Sequence, residues 1–363
     1  MAGLEQQTEL AARRQSLQGS LAELRLNAFV ITALPNVHYL SGFTGSNGAL
    51  LISQDRAILI TDPRYATQAP QQSDCEVKIS KGPLVTEIAK WVKRMKCRTL
   101  AFEGNRISFD EHSRLKSALT GVTLRPVAEA VEMLRMFKSP AEIGTIKAAV
   151  RLNSIALEQA LEQFKPSMTE VDLAAEIEYR MRLLGADGTA FDTIVASGER
   201  SALPHAHPTS HPIQMNQLLL VDMGADVAGY ASDMTRTHAL GKLDAKIRRM
   251  YKAVLESQLA AIAAVRPGVA CAHVDRTARE VLRAYGFEDL FIHSTGHGLG
   301  LEIHERPRIG RKERTKLEQG MVITIEPGVY QEGLGGVRIE DTVVVTAQGA
   351  EVLTPTGKEL VVL

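Results

Sequence analysis

Apolar residues in the first 131 positions fall in short runs, Ala28 to Ile31, Ala49 to Ile52 and Ala57 to Ile60, separated by stretches with helical spacing. Such alternation predicts an α/β domain. A new pattern begins at Ser139-Pro140-Ala141-Glu142, which supplies an N-cap, a proline at the first helical position and a capping-box glutamate. Its apolar stripe, Ile143, Ile146, Val150, Leu157, Leu161 and Phe164, advances by three, four or seven residues and stops at Lys165-Pro166. A domain boundary just before this helix divides the chain into residues 1–131 and 132–363. Further helices are predicted from about Thr169 to Leu184, Asp244 to Val265 and His273 to Tyr285, ended by Gly185, Pro267-Gly268 and Gly286. Strands rich in Val, Ile and Thr fill the gaps: Gln217 to Asp222, Gly229 to His238, Met321 to Glu326 and Val337 to Thr346. The second domain therefore reads as α+β, with antiparallel hairpins.

Composition narrows the function. A chain of 363 residues with 42 Lys plus Arg against 42 Asp plus Glu has no overall field that draws nucleic acid or an anionic membrane. The basic stretch Arg306 to Lys316 is diluted by Glu305 and Glu313 and interrupted by Gly310, and reads as a solvated loop. Three cysteines, Cys75, Cys97 and Cys271, without a CxxC pair, fit reduced thiols and a cytoplasmic setting. The N-terminal stretch has no apolar core of a leader, and no apolar run approaches the roughly 20 residues a membrane-spanning helix needs.

The acids carry the chemistry. A hairpin centred between Val227 and Ala228 would set Asp222 opposite Asp233, and one centred on Gly333 would set Glu326 opposite Glu340. Directly opposed like charges destabilise a sheet unless something neutralises them, and a cation is the simple remedy. Taken singly, Asp222 at a strand end is better explained as a turn former, and Glu326 before Pro327-Gly328 is equally well explained by ordinary turn chemistry. Together with a histidine, the four acids compose a hard, oxygen-rich site, and two dications would leave such a cluster near neutrality. The candidate histidine is His297, between Gly296 and Gly298, which let the backbone bend close to an ion. His304-Glu305 does not start an HExxH motif, because Arg308 stands where the second histidine would be. No GxSxG elbow, Walker A loop or dinucleotide-binding glycine pattern is present.

The segments VDMGADVAGYASDMTRTH, STGHGLGLEIHE, TIEPGVY and GGVRIED, in this order and spacing, resemble the metallopeptidase family of methionine aminopeptidase, aminopeptidase P and prolidase. NVHYLSGFTGSNGALLI and TDPRY are similar to the N-terminal domain of its proline-directed members. The resemblance implies an α+β pita-bread catalytic domain with internal pseudo-twofold symmetry, preceded by a smaller creatinase-like α/β domain. It implies metal ligation by Asp222, Asp233, His297, Glu326 and Glu340, with Asp233 and Glu340 bridging two divalent ions and Glu326 also carrying the proton. An intact quintet speaks against the metal-free creatinase chemistry and against a non-catalytic peptide-binding relative. Manganese is the expected metal, with cobalt, iron or zinc open.

By the same resemblance His205, in ASGERSALPHA, is a catalytic histidine, with His207 and His211 as bystanders, and His293 lines a proline pocket. His205 and His304 are the candidates for protonating the leaving proline nitrogen and stabilising the oxyanion. Arg338 lies two residues from Glu340 on a predicted strand, so it faces the site and can orient a ligand carboxylate, while Asp341 points away. The implied substrates are peptides with proline second, and the implied assembly is a homodimer. Between an aminopeptidase acting on Xaa-Pro peptides of any length and a dipeptidase confined to Xaa-Pro, the compact length and the FTGSNG and DPRY segments favour the aminopeptidase. A dipeptidase needs a cation for the free proline carboxylate, and Arg64 and Arg200 are the candidates.

Overall fold

The computed structural model describes residues 2–165 and 167–363, with side chains from Gln7 onward; Pro166, part of the expected helix stop, lies outside them. The chain divides into two compact units, Met1–Arg135 and Met136–Leu363.

The first unit is built on a six-stranded sheet, formed by β1 (Ala28–Ile31), β2 (Gly48–Ser53), β3 (Ala57–Thr61), β4 (Glu76–Ile79), β5 (Thr99–Glu103) and β6 (Thr123–Val127). Their order is β4-β3-β2-β1-β5-β6. The three apolar runs read from the sequence are its central strands, buried along nearly their whole length as strands covered on both faces must be. Six helices accompany them: α1 (Ala2–Glu23), α2 (Leu34–Ser41), α3 (Gln68–Gln72), α4 (Leu84–Arg94), α5 (Phe109–Ala118) and α6 (Ala130–Arg135). Arg135 hydrogen-bonds Asn36 of α2 (2.7 Å), which ties α6 to this unit.

The second unit repeats one motif. A helix pair, α7 (Pro140–Glu162) and α8 (Glu170–Leu183), precedes β7 (Gly188–Thr189), β8 (Ile194–Ser197), β9 (Gln217–Met223), β10 (Ala225–Val227), β11 (Tyr230–Ala231) and β12 (Met234–Leu240). A second pair, α9 (Ala245–Ala264) and α10 (Cys271–Tyr285), precedes β13 (Gly296–Gly298), β14 (Glu305–Ile309), β15 (Val322–Ile325), β16 (Gly328–Gln331), β17 (Gly335–Arg338), β18 (Asp341–Val345) and β19 (Ala350–Val352). The sheets run β12-β9-β8 and β14-β13-β15-β18-β19, antiparallel throughout. Each helix pair buries its apolar face on its own sheet: Leu157, Leu173 and Ile177 meet Leu219 and Val221, while Val254, Val274 and Leu282 meet Ile323 and Val343.

Local signals explain the helix ends. Ser139 accepts from the Glu142 amide while the Glu142 carboxylate accepts from the Ser139 amide, the reciprocal box that satisfies two orphan donors. Thr169 and Asp172 do the same for α8. Gly286 closes α10 at φ 77°. Helix α10 begins at Cys271, two residues before the predicted start. The basic stretch expected to be a loop instead contributes β14, whose Glu305–Ile309 backbone pairs with β13.

Candidate metal centre

Two hairpins carry the acids. Strands β15 and β18 pair with Ile325 opposite Asp341, and β16 and β17 with Gly328 opposite Arg338. Both registers are centred on Gly333, as the spacing of Glu326 and Glu340 requires. The aspartate hairpin differs from expectation: Asp222 lies opposite Thr235, and Val227 opposite Tyr230. The turn is therefore centred on Ala228 and Gly229, both at positive φ (53° and 81°), the conformation of a tight type I′ turn. The shift is two residues, an even number, so Asp233 stays on the same face as Thr235 and hence as Asp222.

The two halves meet along β12 and β18. The Glu340 amide donates to the Thr235 carbonyl (3.1 Å), and the Thr342 hydroxyl to the Asp233 carbonyl (2.9 Å). Asp233, His297 and Glu340 each bring a ligating atom within 4.8 Å of the others'. His297 Nε2 is 3.5 Å from both Asp233 Oδ2 and Glu326 Oε1. Its Nδ1 lies 3.0 Å from the Gly298 carbonyl, a contact that assigns the proton to Nδ1 and leaves Nε2 as a lone pair toward the acids. Burial lowers the His297 pKa, which favours that neutral form.

The acids repel. Burial first, then Glu340, Asp222 and Glu326, push the Asp233 carboxyl well up, and Glu340 is raised by burial and by Glu326 and Asp222. Burial lifts Glu326 to about 7. One oxygen of two of these groups, Asp222 Oδ1 and Glu340 Oε1, is buried without a hydrogen-bond partner among the described residues. Orphaned oxygens on acids that line one cavity with a histidine lone pair are the donor set that hard divalent cations take, so the five residues fit the metal their sequence implies. The approach is tight: a Cβ on Gly296 would sit 1.9 Å from the Thr324 carbonyl oxygen, and one on Gly298 2.1 Å from that of Arg306.

Supporting residues set the geometry. Arg338, 3% exposed, donates to Asp222 Oδ2 (2.6 Å), Thr235 Oγ1, the Pro204 carbonyl and the Tyr330 hydroxyl, so it fixes the Asp222 carboxylate. Asp341 faces away and is paired with Arg236 and Lys358. Arg279 of α10 pairs with Asp275 and donates to the carbonyls of Phe291 and His293, fixing the segment that leads into His297.

A cavity of about 600 Å³ opens onto the cluster, a size suited to a small ligand. His205, His293 and His304 all line it. His205 and His304 are exposed, and the His304 ring lies edge-on to His297 at 4.4 Å. His293 is engaged at both nitrogens, by Tyr330 Oη (2.9 Å) and the Ser294 carbonyl (2.8 Å). Burial, then Arg338, lowers it to about 4, so it offers the cavity a neutral ring. His207, read as a bystander, lines the cavity too; His211 does not.

Neither expected carboxylate-binding cation is free. Arg200 is bound to the fully buried Glu170 (2.9 Å), and Arg64 is paired with Asp62 in the first unit. Instead Arg308 lines the cavity, directly across the β13–β14 ladder from His297, and holds no hydrogen bond or ion pair among the described residues. The HERPR segment contains it, but only strand pairing, not sequence spacing, reveals its place beside His297.

Known proteins resemble the chain across both units. Residues 144–347 match the model of metallopeptidase family M24, and residues 13–137 match the creatinase/prolidase N-terminal domain. An Xaa-Pro dipeptidase of Pyrococcus furiosus is 39% identical over 96% of this chain and 99% of its own. Among solved structures, an Xaa-Pro dipeptidase from Bacillus anthracis superposes with TM-score 0.95 at 38% identity, covering 98% of this chain and 100% of that one. An X-Pro aminopeptidase from Thermotoga maritima superposes with TM-score 0.89, also at 38% identity, covering 93% and 98%. The repeated helix-pair and sheet motif is the pita-bread fold, and the chain belongs to metallopeptidase family M24, with a creatinase/prolidase N-terminal domain in front.

Proposed function

We propose that this metallopeptidase is an Xaa-Pro dipeptidase. The observation that carries the reading is Arg308, an unpartnered guanidinium in the cavity beside the metal-ligand cluster. A dipeptide presents its free carboxylate one residue from the scissile bond, and a planar fork of N–H donors suits that group. A longer peptide has no charge there. The similarity to enzymes named Xaa-Pro dipeptidase supports the same choice and turns the reading away from the aminopeptidase that length and N-terminal segments favoured.

Asp222, Asp233, His297, Glu326 and Glu340 would hold two divalent ions, of which manganese is our choice over cobalt or zinc, to be settled by metal analysis of the purified protein. Bound there, the ions supply the Lewis acidity that amide hydrolysis needs at neutral pH. Arg308 holds the proline carboxylate and the His293 ring flanks the proline. Glu326 carries the proton, while His205 and His304 serve the leaving nitrogen and the oxyanion. A homodimer is the assembly we propose, and a monomeric mass in solution would reject it.

The test is to offer Xaa-Pro and Xaa-Pro-Yaa-Zaa under identical metal conditions. Rapid cleavage of the dipeptide alone is expected, and Arg308→Met should raise its KM by about 10–100-fold, the worth of a hydrogen bond to a charged group. Cleavage of the longer peptide at equal rate would restore the aminopeptidase.

A further inference from the structure

One carboxylate in the cavity belongs neither to the metal-ligand cluster nor to an ion pair. Glu305 also lines the cavity, but it is bound to Lys138 (3.0 Å) and accepts from the Glu302 amide. Asp192 is exposed there and has no hydrogen bond or ion pair among the described residues.

Topology places it opposite the other unpartnered charge. With β12 joined to β18 by the Thr235–Glu340 backbone bond, β8 is the outer strand on one side of the ligand cluster and β14 the outer strand on the other. Arg308 is on β14. Asp192 leads into β8, two residues before Ile194, whose cross-strand partner is Asp222. The Ala190 amide donates to the Gly224 carbonyl (2.8 Å), so the segment that carries Asp192 lies beside the C-terminal end of β9, past Asp222. A dipeptide whose proline carboxylate sits at Arg308 and whose scissile bond lies over the cluster therefore turns its first residue toward Asp192.

Resting on the dipeptidase reading, we propose that Asp192 sets the selectivity for the first residue, favouring a cationic Lys or Arg side chain over an acidic one. Reach decides between that side chain and the α-ammonium. The α-ammonium is bonded to the carbon next to the attacked carbonyl and must stay over the cluster. Asp192 stands off the ladder: Ala190 bonds Gly224 and Ile194 faces Asp222, so four residues cover two facing positions, and the segment bulges between them and carries the exposed Asp192 to the cavity rim. A Lys or Arg stem reaches that rim, lying on Phe191 and Ile194, apolar neighbours in the same wall, with its charged head left in water.

The experiment compares kcat/KM for Lys-Pro, Leu-Pro and Glu-Pro in the metal-loaded wild type, Asp192→Asn and Asp192→Lys. Wild type should prefer Lys-Pro to Glu-Pro. Asp192→Asn should lower the Lys-Pro to Leu-Pro ratio by about two- to fivefold, the size of a solvent-exposed ion pair, and Asp192→Lys should invert the preference toward Glu-Pro. An unchanged ratio, an equal loss on all three substrates, or a wild type that prefers Glu-Pro would each overturn the proposal. If the wild type cleaves no dipeptide but does cleave longer peptides, the dipeptidase reading fails by itself. The same ratio is then read on Lys-Pro-Ala-Ala against Leu-Pro-Ala-Ala, with the same outcomes deciding the role of Asp192.

Discussion

Glu340 and Asp341 are adjacent, equally buried acids on opposite faces of one strand end, and the protein treats them in opposite ways. Asp341 receives Arg236 on one oxygen and Lys358 and Gln258 on the other. Among the described residues Glu340 receives only the Thr235 hydroxyl (2.7 Å) on Oε2, leaves Oε1 bare, and faces Asp222, Asp233 and Glu326. A buried carboxylate with cations on both oxygens is a structural joint, because its charge is already compensated. One that is left short of partners among like charges stores a demand that a metal would meet. Strand alternation alone separates the two roles.

The sharpest break of this comparison is Glu340→Gln. Turnover should fall to background and bound metal should drop, because the amide removes a charge from the cluster while keeping its shape. The metal-free variant should unfold no more easily than metal-free wild type, since a repulsive charge has gone. Metal content by elemental analysis and urea denaturation after chelation check both halves, and a large loss of metal-free stability would make Glu340 a structural joint after all.

The neighbouring change should do the reverse. Arg236, 2% exposed, also donates to the carbonyls of Thr235, Glu340, Thr356 and Gly357, so it ties the C-terminal segment to the back of the site. Arg236→Met should cost about 3–5 kcal/mol, the usual loss when one partner of a buried pair is removed. Thermal denaturation reads it, in the metal-free and the loaded protein alike. A loss confined to the loaded protein would assign Arg236 to the metal and not to the fold.

How much of this was legible in the sequence follows from the same strands. The glutamate hairpin could be read because Gly333 sits at the only turn its spacing allows, and its register is the observed one. For the aspartate hairpin, a turn at Val227-Ala228 gives a register two residues from the observed one. Gly229 was the better signal, since a type I′ turn needs positive φ at its central residues and Ala228 adopts it only under the register's constraint. The cavity face was readable for Arg338, two residues from Glu340 on one strand. It was not readable for Arg308 or Asp192, whose neighbours His297 and Asp222 come from other strands, 11 and 30 positions away in the chain.

A smaller effect sharpens the rule that missing partners mark a site. His238 lies two residues from Arg236 on β12, is 5% exposed, and neither ring nitrogen has a partner among the described residues. It is as unsatisfied as Glu340, yet it lies outside the cavity and faces no like-charged cluster. Burial, and then Arg236, lower its pKa from about 6.5 to about 4, so it stays neutral in the fold. Because the folded value lies below the unfolded one, the unfolded chain binds the extra proton between these limits, and stability falls as pH drops from about 6.5 to about 4. A shift of that size corresponds to about 3 kcal/mol across the window, with no contribution above it. The difference in unfolding free energy between wild type and His238→Leu, measured by urea denaturation at each pH, should therefore be flat above about 6.5 and move in the variant's favour below. Metal release in acid affects both proteins and cancels in the difference. A pH-independent difference would show that His238 holds no such demand. A metal retained by wild type and lost by the variant would show that the rule needs no cluster of like charges at all.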